Sequence, residues 1–197
     1  MKKILIVLMM LMMVIAMCGC GGSEKTAGTP TAPGKKAEAA NSIVGKKTLI
    51  AYFSLSGNTE TAAKDAQKII GKADLFKIET IKTYPASHDY AKKELENNEL
   101  PALKVAKTPN LKDYEVVFIG YPIWWHEAPM AVFSWLKEND LSGKTVLLFC
   151  TSGGNQIDQT LPRLHKALPN SKIIDGPTIN RPVGMDEWLE QLGYVKK

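Results

Sequence analysis

Tyr52-Phe53-Ser54-Leu55-Ser56-Gly57-Asn58-Thr59-Glu60-Thr61 is the stretch whose reading decides the fold. The apolar run Thr48 to Phe53 before and within it reads as a strand. From Thr59 to Ile70, Ala62, Ala63, Ala66, Ile69 and Ile70 recur at helical spacing, and Gly71 stops the pattern. A turn of hydroxyl residues, one glycine and Asn58-Thr59 joins the two. Such a turn gathers hydroxyls and backbone N–H groups at a helix N-terminus, where the peptide dipoles favour an anion. It lacks the Gly-Lys-Ser/Thr ending of a triphosphate-binding loop and the spaced glycines of a dinucleotide fingerprint. With no lysine to offset a polyphosphate, the expected ligand group is a single phosphate monoester. The alternative is an ordinary strand-to-helix turn capped by Ser or Thr.

Outward from this stretch, strand and helix patterns alternate. Val116–Gly120 and Lys144–Cys150 read as buried strands, Asp74–Glu79 as an edge-like one and Lys172–Ile174 as a short fifth. Helices are predicted over Pro129–Asn139, over Ile157–Leu168 despite Pro162, and over Met185–Leu192. The lysine-rich span Lys82–Asn110 reads as an extended connection with one weak helix around Tyr90–Asn97. Five strands alternating with helices imply an α/β domain, a parallel sheet covered on both faces. Ligands of such sheets sit beyond the carboxyl ends of the strands, so the loops after strands one, three and four matter most.

The loop after strand three is Tyr121-Pro122-Ile123-Trp124-Trp125-His126-Glu127-Ala128-Pro129. Two indoles held between prolines make a stiff apolar wall suited to a flat ring, with one indole expected in the core and one at the site. After strand four comes Thr151-Ser152-Gly153-Gly154-Asn155-Gln156, where paired glycines let the backbone approach a ligand closely. His126 reads as a solvated loop residue or a donor to the ligand, and His88 and His165 as surface residues. Cys150 ends a buried strand and reads as a small packed hydrophobe.

The N-terminus has a different character. Met1-Lys2-Lys3 precedes the apolar run Ile4 to Met17, which has the proportions of a secretory signal and is short for a bilayer span. Cys18-Gly19-Cys20 resembles the end of a bacterial lipoprotein signal, with Cys20 as the lipidated residue because Gly19 before it is small. A plain signal peptide or an uncleaved anchor is the alternative. Residues 1–19 are therefore expected to be a signal peptide and residues 20–44, rich in Gly, Ala, Thr, Pro, Ser and Lys, a flexible tether. Residues 45–197 are expected to form one domain, lipid-anchored at the extracytoplasmic face of a bacterial membrane. With Cys20 lipidated, only Cys150 remains in the mature chain, which excludes an intrachain disulfide. The net charge is +5, only two basic residues are arginine, and the lysines are scattered. That pattern reads as a solvated surface and not as a nucleic-acid footprint.

Taken together, these loops resemble those of the flavodoxin family, and of its branch with a Tyr-Pro-x-Trp-Trp loop, over about Lys47 to Leu192. The resemblance implies a flavodoxin-like, doubly wound, five-stranded parallel sheet in the order 2-1-3-4-5. It also implies FMN as cofactor, held non-covalently because no covalent-attachment motif is present. By that resemblance Ser54, Ser56, Gly57, Asn58 and Thr59 would hold the phosphate, and Pro122, Ile123, Trp124 and Trp125 would line the ring. Thr151, Ser152, Gly153 and Gly154 would meet its pyrimidine edge and the ribityl chain. The chain departs from many flavodoxins in being slightly basic and in lacking an aromatic after strand four, which leaves one ring face open. The expected function is electron transfer through FMN, with an unidentified redox partner protein or small-molecule acceptor. An FMN-dependent NAD(P)H/quinone-type oxidoreductase is the alternative, and a binding lipoprotein without redox work is the third reading.

Overall fold

Three stretches of nearly unbroken hydrophobicity build the centre of the sheet, as parallel strands covered on both faces require. They are β1 (Thr48–Tyr52), β3 (Val116–Pro122) and β4 (Thr145–Thr151), flanked by β2 (Ala73–Lys77) and β5 (Lys172–Ile179). All pairings are parallel and the order is β2-β1-β3-β4-β5. The structure is a computed structural model and describes residues 43–85, 89–180 and 184–194, all in the unit Ala32–Lys197. The expected signal peptide, Cys20 and most of the tether lie outside the described residues, as does His88.

Alternate side chains on each strand point to opposite faces and feed two cores. Leu49, Ala51, Val117, Ile119, Leu148 and Cys150 pack on one face with helices α2 (Asp89–Glu96), α3 (Met130–Glu138) and α4 (Leu161–Ala167). Ile50, Tyr52, Phe118, Leu147 and Phe149 pack on the other with α1 (Asn58–Ile70) and α5 (Met185–Gln191). Ile43 joins this second core fully buried, and the Tyr194 hydroxyl donates to its carbonyl at 3.2 Å. The domain therefore begins before residue 45, and the expected tether gives way by Ile43.

Three boundaries differ from the sequence reading for local reasons. β5 runs on to Ile179, because an extra residue between Asp175 and Thr178 bulges past Phe149 and absorbs Gly176-Pro177. β5 is also an edge strand, where a missing proline N–H is tolerated. The predicted helix Ile157–Leu168 splits into a 3₁₀ turn, Ile157–Gln159, and α4, whose first turn carries Pro162. The lysine-rich connection pairs back with the segment that follows β2, Ile81 N–H donating to Ala102 O and Lys104 N–H to Glu79 O at 2.9 Å each. Asn139 pins its far end, accepting from Thr108 N–H at 2.9 Å and donating to Ala106 O at 2.7 Å. Among the described residues no helix is long and apolar enough to cross a membrane.

Candidate functional site

A cleft of about 520 Å³ opens at the carboxyl ends of β1, β3 and β4, where the strand order reverses. Its size falls within the range typical of small-molecule sites, about 300–1,000 Å³. Ser54, Ser56, Asn58 and Thr59 line it from the first loop, Pro122, Ile123 and Trp124 from the second, and Thr151, Ser152 and Gly153 from the third. Gly57, Trp125 and Gly154 do not line it.

The first loop owes its shape to Gly57, which caps α1 in a left-handed conformation at φ 92° that side-chain residues rarely adopt. Its N–H donates to Ser54 Oγ at 3.1 Å, and its carbonyl accepts from the Thr61 hydroxyl at 3.1 Å and Thr61 N–H at 2.9 Å. No side chain caps α1, so the alternative of a Ser or Thr cap is not what forms. The N–H groups of Asn58, Thr59 and Glu60 consequently have no partner among the described residues and sit at the positive end of the helix dipole. The Thr59 side chain is buried, its hydroxyl 2.7 Å from that of Thr151.

The second loop folds as a two-residue hairpin. Trp124 N–H donates to Glu127 O at 2.9 Å and Glu127 N–H to Trp124 O at 3.0 Å, with Trp125 at φ 52° and His126 at φ 65° between them. Two positive φ values define a type I′ turn, usually made by Asn-Gly, and in other residues each costs about 1–3 kcal/mol. The turn separates the two indoles. Trp124 stays 7% exposed on the cleft wall, with Phe53 and Tyr84 both edge-on to it at 5.3 Å. Trp125 is turned outward, 42% exposed, with Lys92 Nζ 5.0 Å from its ring centroid. One indole is thus both core and cleft wall, and Trp125 is not part of the wall. His126 donates through Nδ1 to Gln159 Oε1 at 3.0 Å, which holds the loop to the 3₁₀ turn.

Behind Trp124, the Tyr84 hydroxyl donates to Glu94 Oε2 at 2.6 Å, and burial raises both groups above their ordinary pKa. Burial also holds the Glu127 carboxyl up, against the attraction of Arg163, and its Oε2 is buried with no partner among the described residues. Cys150 packs fully buried, as expected, with its thiol pushed up to about 11 by burial. In the third loop Ser152 Oγ accepts from Gly154 N–H at 3.2 Å and Asn155 N–H at 2.8 Å, so the Gly154 amide is spent on the loop itself. A Cβ built on Gly153 meets no protein atom within 4 Å, and its φ is not left-handed. The fold does not need glycine there.

Six further wall residues are not predicted from the sequence, among them Leu55 within the first loop itself. Thr61, Ala62 and Asp65 follow Asn58 at i+3, i+4 and i+7 and therefore share its helix face, a spacing visible in the sequence. Ile179 and Asn180, at the end of β5, could be placed only with the sheet order known. Among the described residues Asp65 is the sole charged residue on the wall, and no cationic side chain lines it.

Residues 47–192 match the model of the family described as Flavodoxin. The chain belongs to the flavodoxin family. Among solved structures, a protein from Bacteroides eggerthii DSM 20697, described provisionally as a flavoprotein, is 34% identical over 75% of this chain and 98% of its own, with a TM-score of 0.69. A second such protein, from Bacteroides uniformis ATCC 8492, is 29% identical over 74% and 99%, with a TM-score of 0.68. The flavoprotein of Lactobacillus acidophilus NCFM, solved in complex with FMN, shares the fold at 22% identity over 66% and 91%, with a TM-score of 0.59. No protein with a curated description matches the chain. The cleft of this flavodoxin-family domain fits FMN, the cofactor its family implies. Unpartnered amides at a helix N-terminus suit a phosphate, the Trp124 wall suits a flat ring, and the open side of Gly153 suits close approach of a ring edge or a ribityl chain.

Proposed function

We propose that this flavodoxin-family domain binds one FMN non-covalently in the cleft and transfers electrons through it, held by lipid on Cys20 at the extracytoplasmic face of a bacterial membrane. The observation that carries the proposal is the convergence, in one cleft, of Asn58 and Thr59 at the α1 N-terminus, whose amides have no partner among the described residues, with the Trp124 wall. FMN, when bound, supplies reversible one- and two-electron chemistry at its ring. The protein's part is to anchor and to bias. The α1 amides would take the phosphate, Trp124 would exclude water from the ring, and Asp65 is the only charge on the wall among the described residues. No cationic side chain among the described wall residues would offset negative charge gained on reduction, which would make the site favour a strong reductant. The membrane part of the proposal rests on the Gly19-Cys20 signal.

The experiment is an absorbance titration of the purified chain with FMN, followed through the flavin bands. Saturable one-to-one binding is expected. No binding by a chain whose circular dichroism shows an intact fold overturns the proposal. Cys20→Ser, expressed in a bacterium, is expected to move the protein out of the membrane fraction, and retention there contradicts the anchor.

One observation favours a second reading, an FMN-dependent oxidoreductase. The third loop carries no aromatic, so it would leave a ring stacked on Trp124 uncovered from that side for a quinone-sized substrate. Consumption of NAD(P)H coupled to quinone reduction by the FMN-loaded protein supports that reading. A reductive titration that proceeds in two resolved one-electron steps, without such turnover, supports the carrier.

A further inference from the structure

Each loop of the cleft is braced internally, the first through Gly57 with Ser54 and Thr61, the third through Ser152. Between these two loops the described side chains make one hydrogen bond, Thr59 Oγ1 to Thr151 Oγ1 at 2.7 Å, across 92 residues of sequence. Thr151 is also tied to the second loop, its carbonyl accepting from Ile123 N–H at 2.9 Å. It is therefore the residue at which all three cleft loops meet. Both hydroxyls are buried, Thr59 at 1% exposure and Thr151 at 7%, and both residues line the cleft.

A count of protons gives the pair a direction. Two hydroxyls carry two protons, and their mutual bond uses one. The second proton has no acceptor among the described residues, and a buried donor without an acceptor is costly. Thr59 lies in the first turn of α1, where the bare amides converge and an anion would sit. An anionic oxygen there attracts the remaining proton to the Thr59 side of the pair, which leaves Thr151 as donor to Thr59. Aligned in series, each hydrogen bond polarises the next and strengthens it.

We propose that Thr151 is a positioning residue of the phosphate cradle: it donates to Thr59, and so orients the Thr59 hydroxyl as a donor to a phosphate oxygen. The proposal rests on the FMN reading and reassigns Thr151, which the sequence placed at the ring edge and ribityl chain. It separates phosphate recognition from ring recognition, and that separation can be measured.

The test compares FMN with riboflavin, which has the same ring and ribityl chain without the phosphate, by titration of the full chain and its variants. Thr151→Val keeps the shape and removes the hydroxyl. Its affinity for FMN is expected to fall about tenfold, the size of one charge-assisted hydrogen bond, with riboflavin affinity unchanged. Thr151→Ser restores the hydroxyl and is expected to recover FMN affinity. Thr59→Val is expected to lose at least as much, and the double variant no more than Thr59→Val alone, since the two act in series. Equal losses for FMN and riboflavin, or additive losses in the double variant, overturn the proposal, because a merely structural role moves both ligands together. The two failures are separable. If the parent chain binds neither flavin, the cofactor reading falls and takes this inference with it. If the parent prefers FMN and Thr151→Val keeps that preference, only the inference falls.

Discussion

Replacing Gly153 by Ala should separate what the fold needs from what the ligand needs. A Cβ at this position meets no protein atom within 4 Å, and the backbone is not in the left-handed region. Alanine should therefore fit the folded chain and restrict the unfolded one, a gain of about 0.4–1 kcal/mol, or roughly 1–4 °C in Tm for a domain of this size. The cleft should show the opposite sign. Gly153 lines it, and its N–H, unlike that of Gly154, has no partner among the described residues. A methyl group there holds a ring edge or a ribityl chain away from that amide. Losing one such hydrogen bond, about 0.5–1.5 kcal/mol, together with the displacement of close contacts, should weaken FMN binding about tenfold. Thermal unfolding of the ligand-free protein and a flavin fluorescence titration measure the two effects on the same sample. A variant that loses stability, or one that binds FMN as tightly as the parent, would refute the reasoning.

Other positions give sharper single effects. Gly120 in β3 has no room for a side chain, because a Cβ would overlap the Phe149 ring, so Gly120→Ala should cost at least about 1–3 kcal/mol. Denaturant unfolding checks this, and an unchanged midpoint would contradict the packing described. Glu94 is buried, with its carboxyl raised above the ordinary value of 4.5. Its contribution to stability is whole below that value and is lost as pH rises through the raised native pKa. Glu94→Gln keeps an acceptor for the Tyr84 hydroxyl without titrating, so its Tm advantage over the parent should grow as pH rises above the ordinary carboxyl value. A difference independent of pH would count against burial as the cause. Cys150 is fully buried with its thiol near 11, so thiol reagents at pH 8 should label it only at the rate of unfolding. Labelling as fast as that of a free cysteine would place it elsewhere.

The fold was largely legible because the central strands are buried on both faces and read as continuous apolar runs, and because a glycine and Asn58 mark the start of α1. β5 was cut short because Gly176-Pro177 looks like a break, whereas an edge strand with a bulge accepts both residues. The type I′ turn went unread because Trp125 and His126 carry none of its usual signals, and the turn sends Trp125 away from the wall to which its sequence position assigned it. At the cleft, residue types announced the three loops but not the partners within them. Nothing local indicates that the Thr59 hydroxyl faces Thr151, or that Ser152 consumes the Gly154 amide, since both follow from how the strands are placed. Ile43 is not legible as core in the sequence because an isolated hydrophobe at the end of a polar stretch carries no periodicity.

The central claim is that the α1 N-terminus and the Trp124 wall hold the two ends of one FMN. The ¹H–¹⁵N spectrum of the chain titrated with FMN tests it most directly. The largest shifts are predicted at the amides of Asn58, Thr59 and Glu60, at the Gly153 amide and at the Trp124 indole N–H. Riboflavin should reproduce those at Trp124 and Gly153 but not those at Asn58 to Glu60. Saturating FMN that leaves the three helix amides unmoved, or moves only residues outside the cleft, would contradict the account.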